Sequence, residues 1–106
     1  MARLNLSSNA DKAKLLRALA FEIHRKQAPD DVMRDYLDNQ MRSGNRREFR
    51  AAQDALNDAG FAASLRALDI ISEDAAVILN CVVLDGDHRL QSSTLTALAA
   101  FLDGQH

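Results

Sequence analysis

An all-α fold is predicted by three features of this sequence. Its 47% apolar content is carried mostly by Ala and Leu, aromatics make up 5%, and one Pro with four Gly leaves long stretches without a helix breaker, a balance that favours helix over sheet. Apolar residues recur at three- and four-residue intervals along most of the chain, which is the helical period. Residues 75–84 read Ala-Ala-Val-Ile-Leu-Asn-Cys-Val-Val-Leu, nine apolar residues in ten with Asn80 the interruption. A helix apolar on every side is normally surrounded by other elements. The expectation is therefore a compact six-helix bundle around a buried central helix, at about residues 72–84, with Val77, Ile78 and Cys81 enclosed. Val77, Ile78, Val82 and Val83 are β-branched and also suit extended chain, but a lone strand would have no other strand-like run to pair with, and helix is the better account.

The elements follow in order. Ser8 and Asp11 have the spacing of a capping box before a periodic segment with Leu15, Leu16, Leu19 and Ile23 on one face, so a first helix is predicted over about residues 9–26. His24, Arg25 and Lys26 at its end complement the helix dipole, which makes His24 a solvated terminus rather than a catalytic group. Pro29 pre-sets a first helical turn, Asp30 and Asp31 suit its N-terminal dipole, and Val32, Met33, Tyr36, Leu37 and Met41 form the stripe of a second helix ending near Arg42. Ser43-Gly44 is a break. Asn45 with Glu48 is a capping box for a third helix that buries Phe49, Ala52, Ala55 and Leu56 and ends at Gly60. Phe61, Leu65 and Leu68 give a short fourth helix. Asp69 or Ser72 caps the apolar fifth, Asp85-Gly86-Asp87 closes it, and a sixth runs from about Arg89 to Asp103 with Leu95, Leu98, Ala99 and Leu102 inward. The motif Leu-Xaa-Ala-Leu at positions 16, 65 and 95 recurs at unequal intervals, which is common helix grammar and no structural repeat.

At 106 residues the chain is one domain, long enough for a core without a disulfide or metal. Residues 1–8 and 104–106 are expected to be flexible. Thirteen basic and fifteen acidic residues give a formal charge of -2, which does not suggest a dedicated polyanion binder but leaves room for a local basic patch. Cys81 is the sole cysteine, so no intrachain disulfide forms and a buried structural thiol in a reducing compartment is expected. The apolar run is about half the length that spans a bilayer and the first residues lack a signal-peptide pattern, so a cytoplasmic location is expected.

No enzymatic chemistry is apparent. His24, His88 and His106 are too scattered for a metal-ligand spacing, no nucleophile motif or phosphate loop is present, and Asp85 and Asp87 around Gly86 offer too few oxygens for a cation loop. No cofactor is implied. Arg42, Arg46, Arg47 and Arg50 form the one basic cluster, with Arg46 and Arg50 at helical spacing and Arg47 beside them. Guanidinium groups suit carboxylates, so Arg46, Arg47 and Arg50 are the candidate partner-binding residues, for an acidic protein surface. The plainer account is a solvated helix face.

The last third of the chain resembles a known pattern. Val82-Val83 is followed two residues later by Gly86-Asp87, and Leu95-Thr96-Ala97-Leu98-Ala99-Ala100-Phe101-Leu102-Asp103 reads Leu-x-x-Leu-Ala-x-aromatic-Leu-acidic. Gly60 with Ala67-Leu68 echoes an earlier Gly, short helix and Ala-Leu. In this the chain is similar to the cytoplasmic domain of the F-type inner-membrane platform proteins of type II secretion and type IV pilus machines. It departs from them at Asp87, where Glu is usual, at Gln27, where a glycine is usual, and in a turn before Leu95 about one residue shorter. Those proteins also carry transmembrane helices and a second copy of the domain, neither of which is contained in these 106 residues, so either an excised domain or a free-standing relative is expected. The resemblance implies a non-enzymatic docking domain whose partner is a secretion or pilus assembly ATPase or a neighbouring membrane component, with self-association as a homodimer also in character. The competing readings are a small regulatory adaptor unrelated to secretion and a helix-turn-helix DNA-binding regulator.

Overall fold

The computed structural model describes residues 8–25, 27–44 and 46–104, with the side chains of Arg46 and Glu48 excepted, and among these the chain forms six helices and no strand. They are α1 (Asn9–His24), α2 (Pro29–Arg42), α3 (Arg46–Ala59), α4 (Phe61–Ala67), α5 (Glu73–Asp85) and α6 (His88–Asp103). The all-α expectation holds, and the helices begin where capping chemistry places them. Ser8 Oγ accepts from the Asp11 amide at 3.5 Å, Ser72 Oγ accepts from the Ala75 amide at 3.1 Å, and Asp87 Oδ1 accepts from the amides of Arg89 and Leu90. Each satisfies amides that a helix start leaves orphaned. Pro29 occupies the first turn of α2 and needs no amide bond there. The capping box expected of Asn45 and Glu48 lies outside the described residues. Of the two candidate caps for α5, Ser72 serves. Asp69 instead takes a left-handed turn conformation, φ 60°, which Asp tolerates better than most side chains.

Helix α1 supplies the largest share of the core among the described residues. It buries Ala13, Leu15, Leu16, Leu19, Ala20 and Ile23, and its closest neighbour is α6, which contributes Leu95 and Ala99. The two run antiparallel. Asp103 at the end of α6 pairs with Arg17 midway along α1, and at the start of α6 His88 Nδ1 lies 3.2 Å from the Ile23 carbonyl near the end of α1; a carbonyl only accepts, so this bond requires the proton on Nδ1. The second layer is α2 with α3. Tyr36 meets Phe49 edge-on, with ring centroids 6.1 Å apart and planes at 75°, and Gln53 Nε2 donates to Asp38 Oδ1 at 3.3 Å. Met33 and Leu37 complete the buried face of α2. Phe61 and Leu65 of α4, then Ile70 and Ile71 in the connection after it, close the core.

Gly60 joins α3 to α4 with φ 98° and ψ -168°, a region open essentially to glycine alone. Replacing it by Ala is expected to destabilise the fold by about 1 to 3 kcal/mol, read as a shifted urea midpoint with unchanged slope.

One expectation is overturned. The run at residues 75–84 is helical but is not a buried central helix. Only Ala76 and Leu79 of α5 are buried. Val77 and Ile78 are each 62% exposed, Leu84 is 77% exposed, and Cys81 is exposed as well. The reason is geometric: α5 packs chiefly against α4 and α6, and a helix touched along one side keeps its other side free however apolar the sequence. Helix α4 packs against α2, α3 and α5, while α1 packs against α6 and α2.

Tyr36, the chain's single tyrosine, lies in the cleft between α1 and α2 with Leu19 and Val32. Its hydroxyl is buried without a hydrogen-bond partner among the described residues. Burial, and secondarily the negative charge of Asp11, push the phenol up to about 12. A raised acid pKa means that the unfolded chain gives up this proton first. The contribution of Tyr36 to stability is therefore complete below about pH 10 and is lost as pH climbs from about 10 towards 12. Ultraviolet titration of the native chain should show tyrosinate appearing only within that upper range, and in urea near pH 10.

Candidate functional site

At 100° per residue, Val77, Ile78, Cys81 and Leu84 fall within about 120° of arc on α5 and span about 10 Å of its axis. All four are exposed. Asp74, before this stripe, and Asp85, after it, fall on the same arc and are also exposed. The result is an apolar helix face with a carboxylate at each end.

A groove runs along one margin of the face, between α4 and α5, with a volume of about 290 Å³. Ala62, Ala63 and Ala76 line it with Val77 and Asn80, and Arg66 reaches across to Glu73 at 3.7 Å. Small side chains there leave room for a second helix to approach closely. Asn80, the one polar side chain in the apolar run, is exposed at this groove. On the other side of α5 a cleft lies over α6, lined by Ala75, Leu98, Phe101 and Leu102. Phe101 is exposed, so the aromatic of the closing pattern in α6 faces outward, while Leu95 and Ala99 of the same pattern are core.

The arginine cluster lies elsewhere. Arg42 closes α2 and Arg47 and Arg50 stand in the first turns of α3, all three exposed; the side chain of Arg46 lies outside the described residues. Ala59, at the far end of α3, lines the groove beside α5. Twelve residues of helix separate Arg47 from Ala59, about 18 Å along the axis. The cluster and the α5 face are therefore separate surfaces.

Among the described residues no three His, Cys, Asp or Glu side chains converge as a metal-binding group. Asp87 is occupied as the α6 cap, His24 is exposed, and His106 lies outside the described residues. Among the described residues no helix is long and apolar enough to cross a membrane. The expected buried thiol is corrected by the same rotation of α5 that exposes Val77, since Cys81 shares its face.

Sequence reasoning missed this face because apolar content alone places a residue in the core. A signal was available, since Asp74 and Asp85 share the arc of Cys81 and a buried helix would not carry two carboxylates there. No family model, curated protein or solved structure matches the chain.

Proposed function

We propose that the chain is a non-enzymatic protein–protein docking domain, of the kind exemplified by the cytoplasmic platform domains of type II secretion and type IV pilus machines. The observation that carries the reading is the outward face of α5. Single exposed apolar side chains are ordinary, but Val77, Ile78, Cys81 and Leu84 together form a continuous stripe that gains free energy when covered. The likeness of residues 82–103 to the platform domains supports taking an assembly ATPase, in the cytoplasm, as the partner that covers it. Arg46, Arg47 and Arg50 add a second, electrostatic contact for an acidic region of that partner.

The test is a direct binding measurement between the purified chain and such an ATPase. Saturable binding lost in a Val77→Gln/Leu84→Gln variant is the expected result; no binding by the parent chain, or binding indifferent to that variant, overturns the reading. Arg47→Glu with Arg50→Glu is expected to slow association and flatten its salt dependence. Because both side chains are exposed, stability should change by no more than about 0.5 kcal/mol. Unchanged on-rate and unchanged salt dependence would reduce the cluster to a solvated helix face.

A further inference from the structure

From residue 67 to residue 88 the chain carries five acidic residues, Asp69, Glu73, Asp74, Asp85 and Asp87, and no Lys or Arg, although the chain as a whole is nearly balanced. The apolar stripe of α5 lies inside this acidic segment. Resting on the docking reading above, we infer that the occupant of the α5 face is an amphipathic helix whose apolar stripe is bracketed by basic residues. Asp74 and Asp85 are eleven residues apart, about 16 Å along the helix axis. The partner helix therefore carries Lys or Arg about three turns apart, with Leu-sized side chains between them to cover Val77, Ile78 and Leu84. The groove over Ala62, Ala63 and Ala76 takes its flank, in the helix-in-groove manner.

Charge decides against the two other candidates. A second copy related by a two-fold axis would set Asp74 against Asp85 if the helices were antiparallel, or each against itself if parallel, and no basic residue of α5 offsets either arrangement. An anionic lipid surface would meet carboxylates at both ends of the stripe. At the margins of the face Arg66 is engaged by Glu73 and Lys12 lines the cleft over α6.

The full chain is titrated with two synthetic amphipathic helices of about 18 residues, identical in their Leu stripe, one bearing Lys at two positions eleven apart and the other Glu. The Lys peptide is expected to bind about tenfold tighter than the Glu peptide, and an Asp74→Lys/Asp85→Lys variant should invert that order. Val77→Gln/Leu84→Gln should abolish binding of either peptide with the thermal transition unchanged. Equal affinity for the two peptides, both lost in that double variant, overturns the basic partner and leaves the docking face standing. Failure of both peptides to bind, or binding indifferent to the double variant, overturns the face itself. Dimerisation in sedimentation that the double variant abolishes assigns the face to a second copy, and co-sedimentation with phosphatidylcholine–phosphatidylserine vesicles assigns it to lipid; either contradicts the inference.

Discussion

Truncation of Leu79 to Ala is expected to destabilise the chain by about 2 to 5 kcal/mol, whereas the same truncation at Ile78 changes stability by no more than about 0.5 kcal/mol. The residues are adjacent and similar in volume, so the contrast isolates the orientation of α5. Leu79 is 0% exposed and packs into the common core; removing three of its carbons leaves a cavity that a close-packed interior refills only partly. Ile78 already lies mostly in water. Its truncation removes little buried area, and the better helix propensity of Ala offsets part of that loss. Urea unfolding of the two variants, at unchanged slope, measures the difference. An α5 buried on all sides would make the two costs equal.

The second large effect is on binding. In Val77→Gln/Leu84→Gln, loss of partner affinity should exceed about a hundredfold, because two apolar side chains covered in a helix-sized contact act as hot spots worth roughly 1.5 to 2 kcal/mol each. Gln keeps good helix propensity and adds no charge, so the fold should survive the change. Helical circular dichroism and the melting midpoint serve as controls. A variant that melts normally yet binds as the parent chain would place the contact elsewhere.

Most of the helix boundaries were legible because they rest on local chemistry. Ser8, Ser72, Gly60 and Gly86 act within a few residues of themselves, and the structure finds each at the end of a helix. The stripes of α1 and α2 were legible for a related reason: each has a polar side, so its apolar side could face only one way. Helix α5 has no such contrast, and its rotation depends on how many neighbours the rest of the chain can bring to it. That is a property of the whole bundle. The burial of Ile70 and Ile71 in a connection escaped notice because two apolar residues show no period. Gln91, buried in α6 with its Nε2 donating to the Val83 carbonyl at 3.2 Å, was overlooked because it reads as surface. The arginine cluster was visible from spacing alone, and its separation from the α5 face was not, since that depends on the path of α3 and α4.

The outward orientation of residues 77–84 is best tested through Cys81, the sole thiol of the chain and a member of the exposed face. The measurement is its rate of reaction with a maleimide at neutral pH, in native buffer and in urea, at a concentration where the chain sediments as a monomer. An exposed thiol should react to one label per chain in both conditions, with native and unfolded rates of the same order. Protection of the thiol until the chain unfolds would mean that α5 turns this face inward, and the docking surface built on it would not exist.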